Sequence, residues 1–547
     1  MKNLILVSLL IPIISFAEIK LFETKEINNP LSIILMADTQ IHNLLAPPNF
    51  YRNLFFDKLV ETAIRPPQLD LFSPDFVKWT LFNYGEGNKV IFLGDALDIG
   101  CKNEWERFTS TMGPQKSQGG WVMAFGNHDS FFNGQTAGSR SNERGLSKKW
   151  WAKACQEGLK ETIPGRIKDR IMAKDDLIRS YLEVLFEQNK INSKDFPITQ
   201  EKIKCNPPRL AEKRPLEEKV FMTDCQFISE DKSSFLQKVF YSLPQSDDIR
   251  FSYKSLMVQE IRLSENLIGF LLDTGDYEDG PTFLIGALNN GKEKRLSKSL
   301  NAGIKGNIQK RQIEIIEHWM KGRESNYFFL MGHHPFKDLS EKAQKLLAQL
   351  KKNFPNMGFV SAHTHTGYLN TKGPIPEINI GSMTDWNPGF VKLGPIFEKE
   401  GLSLEVNRIH FTEHILGCRS NDDLTGSVFD YTSYKNVKGG GKHFFDFTMD
   451  TINRSLTKTL STLGQQISPR FEKGSDQNEN CHITDMECSQ KKFLLAKEAM
   501  GLDNSFTQNP DYFLERVSFG ACQALWASKQ EFDFKTKKEI LTRSENN

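Results

Sequence analysis

At 547 residues the chain exceeds what one ordinary hydrophobic core fills, so it is read as two domains or as one domain with large insertions. Hydrophobic residues make up 39% and charged residues 25%, the balance of a globular chain rather than a disordered or fibrous one. A formal net charge of +2 removes the electrostatic argument for long nucleic acids or an anionic membrane surface as partners.

The N-terminus opens with the short basic stretch Met1-Lys2-Asn3. Leu4 to Phe16 is almost wholly apolar, and Ser15-Phe16-Ala17 places small residues before Glu18. That layout predicts a signal peptide over 1–17, because the apolar run is shorter than the roughly 20 residues that span a bilayer. The protein is therefore expected to be exported, periplasmic or secreted, with no transmembrane segment in its mature part. All eight cysteines lie beyond residue 17, and an even count in an exported chain predicts disulfides. Cys481 and Cys488 are close enough to staple a local loop. No CxxC pair suggests a structural zinc site.

Five short apolar runs follow one design. Leu31 to Ala37 ends on Asp38, with Gln40 and His42 behind it. Lys89-Val-Ile-Phe-Leu-Gly-Asp95 is followed by Asp98, and Gly120-Trp-Val-Met-Ala-Phe-Gly ends on Asn127-His128-Asp129. Residues 135–248 then interrupt the pattern with a helical stretch over Ile167 to Lys190, so this insertion is expected to be mainly helical. It is read either as a cap over a site or as a solvated decoration, with Trp150 and Trp151 as core residues. Arg250 to Leu263 alternates and turns at Ser264-Glu265-Asn266 into Leu267 to Asp273, a hairpin with one exposed face. Gln312 to Trp319 is helical. The last two runs are Asn326 to Gly332, ending on His333-His334, and Met357 to Ala362, ending on His363 and His365. Gly401 to Phe411 reads as a closing strand. Residues 412–547 read as a helical appendage without a catalytic motif.

Runs of this kind are strands buried on both faces, and their carboxyl ends are where ligand sites of α/β folds gather. Carboxylate, amide and imidazole donors together suit first-row divalent or trivalent ions better than calcium or a thiolate zinc site. No Ser-His or Cys-His constellation stands out, and Ser361 and Ser382 read as surface or loop residues.

Asp38-x-Gln40, Gly94-Asp95-x-x-Asp98, Gly126-Asn127-His128-Asp129, Gly332-His333-His334 and Ala362-His363-x-His365 resemble the five blocks of the calcineurin-like metallophosphoesterases, which include the purple acid phosphatases. The resemblance covers roughly residues 31–134 and 249–411. It implies a four-layer α/β/β/α sandwich, with core parts over 18–134 and 249–411. It also implies two metal ions, manganese, iron or zinc, with Asp95 bridging them. Asp38, Gln40 and His365 would complete the first site, and Asn127, His333 and His363 the second. The cluster would generate a bridging hydroxide that attacks a phosphoester substrate, with His128 as general acid or phosphate orienter. Asp129 and Asp98 would hold the imidazole of His128 or of a ligand histidine in one tautomer. His334 would contact phosphate or only a neighbouring loop. The implied activity is that of an exported phosphatase. The alternatives are a phosphodiesterase on nucleotides or lipid head groups, or a non-catalytic scaffold of the same fold. Gln40 departs from the commoner Asp-x-His form, and His42 would replace it if the chain stays extended there.

Overall fold

The computed structural model describes residues 18–27, 32–41, 67–98, 100–113, 120–130, 172–192, 203–213, 219–245, 249–277, 305–384, 389–398 and 401–411. The expected signal peptide, the C-terminal appendage, His42, Trp150, Trp151 and the Cys481–Cys488 staple lie outside these residues. Among the described residues no helix is long and apolar enough to cross a membrane.

The architecture is mixed α/β with two sheets. The first sheet has six strands: β1 (Glu18–Glu23), β2 (Ile33–Met36), β3 (Lys89–Leu93), β4 (Trp121–Ala124), β15 (Gly389–Glu398) and β16 (Gly401–His410). Their spatial order is β1-β16-β15-β2-β3-β4. The second sheet contains β5 (Ile203–Cys205), β6 (Arg209–Lys213), β7 (Lys219–Ile228), β8 (Leu236–Pro244), β9 (Leu256–Arg262), β10 (Leu267–Leu271), β11 (Tyr327–Met331), β12 (Met357–Ser361), β13 (Tyr368–Asn370) and β14 (Glu377–Asn379). Its order is β13-β14-β12-β11-β10-β9-β8-β7-β5, with β6 also on β7. Strands β2, β3 and β4 are mutually parallel, as are β10, β11 and β12. Each parallel set therefore delivers its carboxyl ends to one edge.

Alternation along β11 shows how the layers form. Tyr327, Phe329 and Met331 join a core shared with β2, β3 and β4, while Phe328 and Leu330 join a second core. That second core is completed by Ile313, Ile316 and Trp319 of α4 (Lys310–Met320) and by Leu347 and Leu350 of α5 (Glu341–Asn353). On the first sheet, Phe108 of α2 (Lys102–Met112) packs edge-on against Phe92 and Trp121 at 5.0 and 5.5 Å between centroids. Phe76 of α1 (Pro67–Tyr84) stacks on Phe411 at 4.6 Å.

Two expectations are corrected. The hairpin of β9 and β10 has no exposed face: both strands are buried almost throughout, because helices cover one side and the first sheet the other. Its first five expected residues, 250–254, instead belong to a 3-10 turn over Ile249–Lys254.

The insertion is also not mainly helical where it is described. It holds one helix, α3 (Lys174–Asn192), and then strands β5 to β8, which extend the second sheet through β8 on β9. Nor is α3 a decoration. The Tyr181 hydroxyl accepts the Met123 N–H at 2.6 Å and donates to Gln259 Oε1 at 3.1 Å. Gln259 Nε2 in turn donates to the Met123 carbonyl at 2.7 Å. Side chains thus stand in for a missing strand at the β4 edge and tie the two sheets together there. A disulfide joins Cys205 to the directly opposed Cys225, and Cys101 is also disulfide-bonded.

Candidate metal centre

The five strand ends predicted from sequence meet at one place. Loops after β2 and β3 run side by side: the Asp38 N–H donates to Gly94 O at 3.0 Å, and the Gln40 N–H to Asp95 O at 2.9 Å. The loops after β3 and β4 touch because of two glycines. A Cβ on Gly94 would meet Gly126 N at 2.4 Å, and one on Gly126 would meet Asp95 Oδ1 at 2.1 Å. Any side chain at either position would force the loops apart.

Among the described residues, five non-glycine residues have positive φ: Asp38, Gln40, Asp95, His363 and His365. All five were singled out from sequence as metal ligands. Such backbone is uncommon outside glycine and gathers at functional sites. It also removes the premise for His42 as a substitute ligand, since the chain is not extended over Asp38 to Gln40.

Asp95 sits at the centre. Its Oδ1 accepts the His128 N–H at 2.8 Å, and its Oδ2 lies 3.1 Å from His333 Nε2 and 3.5 Å from Gln40 Nε2. Two groups of donor atoms, each within 4.8 Å of one another, share this residue: Asp95, His333 and His363, and Asp38, Asp95 and His365. In the first group His333 Nε2 also lies 3.0 Å from Asn127 Oδ1 and 3.1 Å from His363 Nδ1. In the second, His365 Nε2 lies 3.1 Å from Asp38 Oδ1. Ligand atoms about 2.1 Å from an ion and at right angles around it lie about 3 Å apart, which these spacings match.

The protonation pattern fits a cation as well. His333 Nδ1 lies 2.9 Å from Leu93 O, which takes the ring's N–H and leaves a lone pair on Nε2. That lone pair, Asp95 Oδ2, Asn127 Oδ1 and the His363 ring nitrogen converge, and a proton on Nε2 cannot satisfy all of them. With no ion beside it, burial opposes charge on His333, but Asp95 outweighs it and pushes the imidazole pKa up to about 9, so a proton on Nε2 occupies the position a cation would take. Burial, with His334 and His333 beside it, holds His363 well below the usual range. Burial alone would raise the Asp95 carboxyl, yet His333 holds it well below the usual carboxylate range. Gln40 Oε1 is buried without a hydrogen-bond partner. The donor set, its spacing and this orphaned oxygen fit a pair of ions.

The expected supporting residues are placed differently. His128 Nδ1 bonds the Asp98 main-chain oxygen at 2.7 Å, while the Asp98 carboxylate is 3.8 Å away. Asp98 therefore orients His128 chiefly through its backbone. Asp129 does not hold an imidazole: its Oδ2 accepts the Asp95 and Gly126 N–H groups at 3.0 and 2.6 Å, and its Oδ1 accepts that of Leu97 at 3.0 Å. Burial and the neighbouring Asp95 push its carboxyl up to about 7. His334 is buried, its Nδ1 2.9 Å from Thr274 Oγ1 and its ring 4.5 Å from that of His363.

Sequence reasoning missed the residues that grip these loops. Ser382 Oγ and Thr384 Oγ1 both donate to the Asp38 carbonyl, at 3.0 and 2.9 Å, so Ser382 is buried beside the site rather than on the surface. Ser361 is buried too, donating to Glu377 Oε1 at 2.7 Å and accepting from Asn379 Nδ2 at 3.1 Å. Asn379 Oδ1 accepts the Thr364 hydroxyl at 2.8 Å, between the two histidines of the last block. The signal available was small polar residues in and directly behind the alternating stretch Ile378-Asn379-Ile380. Compared with known proteins, the chain matches no family model and no curated protein.

Proposed function

We propose that this protein is a metal-dependent phosphoester hydrolase, most simply a phosphatase, built as a four-layer calcineurin-like metallophosphoesterase. The observation that carries the reading is the pair of donor groups sharing Asp95. Asp38, Gln40, Asp95 and His365 would hold one ion, and Asp95, Asn127, His333 and His363 the other. When bound, two such ions supply hydroxide near neutral pH and neutralise charge on phosphoryl oxygens. The protein's own part is to hold those donors against their charge and to move a proton. With Nδ1 bonded to Asp98 O, His128 keeps Nε2 for a bound molecule, and its side chain is 19% exposed while Asp38, Gln40, Asp95, Asn127 and His333 are buried. That suits protonation of a leaving-group oxygen. Asp129 ties the Asp95 loop to the Gly126–Asn127 loop, fixing the Asp95 carboxylate relative to Asn127, which would hold the second ion.

The Cys205–Cys225 disulfide supports the proposal that the protein works in an oxidising compartment, as export would provide. Purified protein loaded with manganese, iron or zinc is expected to hydrolyse an aryl phosphate or a bis-aryl phosphate. Metal-loaded protein inert on both, and on a broad phosphoester panel, sinks the reading.

A further inference from the structure

The two donor groups are chemically unequal, and Gln40 makes them so. Around Asp38, Gln40, Asp95 and His365 there are three oxygen donors and one nitrogen. Around Asp95, Asn127, His333 and His363 there are two of each. Carbonyl and carboxylate oxygens suit manganese and magnesium, whereas imidazole suits zinc and iron. Surroundings reinforce the difference: His333 is fully buried and its other nitrogen is fixed on Leu93 O, while the His365 side chain keeps 16% of its surface exposed.

Gln40 itself is held for this role. Its N–H is bonded to Asp95 O, its backbone is left-handed, and its amide nitrogen approaches Asp95 Oδ2 at only 3.5 Å. The amide oxygen, buried and without a partner, is the atom left to meet a cation. A buried acceptor with no donor is destabilising, and a bound ion would remove that cost.

Resting on the metal-centre reading above, we infer that Gln40 sets a metal hierarchy. The Asn127–His333–His363 site retains a zinc-class ion, and the Gln40 site binds a harder, manganese-class ion more weakly and exchanges it. The protein would then work as a mixed-metal enzyme, its activity following free manganese while the other ion stays in place.

The test is metal binding by the full mature chain, stripped by chelator and titrated calorimetrically with zinc alone and with manganese alone. Two zinc equivalents should bind with affinities at least about tenfold apart, since even loss of a residue supporting a metal ligand shifts affinity by about 10–100-fold. With both metals supplied, elemental analysis should find about one of each. Gln40→His should tighten the weaker zinc site by about tenfold or more, so that zinc fills both sites from the mixture. Equal zinc affinities in the unmodified protein overturn the inference, as does a Gln40→His variant with unaltered zinc binding. Absence of metal binding in the unmodified protein overturns the metal-centre reading itself, a result distinct from two equal sites. The unmodified protein alone decides the first comparison, so the inference stays testable if the variant does not fold.

Discussion

Replacing Asp129 by alanine should destabilise the protein by about 3 kcal/mol even with no metal present. The carboxylate accepts three main-chain N–H groups, those of Asp95, Leu97 and Gly126, at 3.0, 3.0 and 2.6 Å, and the side chain is fully buried. Each buried donor left unpaired costs about 1–3 kcal/mol, so the gross loss is about 3–9 kcal/mol. The lower end applies for two reasons. The carboxyl is itself held at a cost, because burial and the neighbouring Asp95 oppose its charge, and a water entering the vacated space can meet one donor. Asp129→Asn keeps the shape and one acceptor oxygen, so it should cost roughly half as much. Urea unfolding of the metal-free proteins, followed by circular dichroism, reads both differences. An alanine variant within about 1 kcal/mol of the parent, or an asparagine variant as damaged as the alanine one, would refute the clamp.

Asp95→Asn should lower bound metal from two equivalents to one or none and abolish phosphoester hydrolysis; two retained equivalents would show that Asp95 is not shared. His128→Ala should leave metal content intact and slow an alkyl phosphate by about 10²–10⁴-fold. It should slow an activated aryl phosphate much less, because a good leaving group needs no proton, and equal slowing of both would argue against a general acid. Lys174→Met leaves Asp273, 2.7 Å from the lysine nitrogen and fully buried, without its cation. It should cost about 3–5 kcal/mol in thermal or urea unfolding. Adding Asp273→Asn should recover part of that loss, and no recovery would show that the pair is not coupled.

The site was legible because buried parallel strands must be apolar on both faces. That left Asp38, Asp95, Asn127, His333 and His363 as abrupt polar ends to continuous runs. Strands β5 to β8 were illegible for the opposite reason. Arg209–Lys213 reads RLAEK, with a basic residue at each end, as a strand pairing only with β7 tolerates, and Lys219–Ile228 mixes apolar and polar residues without clean alternation. Pairing makes them sheet: β5 and β6 on β7, β7 on β8, and β8 on β9. Asp129 was noticed but given the wrong partner. A carboxylate beside a histidine suggests an imidazole contact, whereas two of the three converging amides, those of Asp95 and Leu97, lie 34 and 32 residues away. Ser382 and Thr384 act on a carbonyl more than 340 positions away, and no local pattern carries that.

The left-handed residues explain how ligands two apart in sequence can serve one cluster. In an extended strand such residues are about 6.6 Å apart and project from one face side by side. Positive φ at both Asp38 and Gln40, and at both His363 and His365, folds each loop back so that all four reach Asp95. Each such residue costs of order 1–3 kcal/mol and persists only where its surroundings fix it. Here Gly94 O and the hydroxyls of Ser382 and Thr384 hold Asp38, Asp95 O holds Gln40, and Asn379 holds the turn at Thr364. The strained backbone and the groups that fix it therefore occur together, at the residues whose donor atoms converge. An ion binding there stabilises the folded loops by mass action, so removing metal should loosen these five positions before any others in the two sheets.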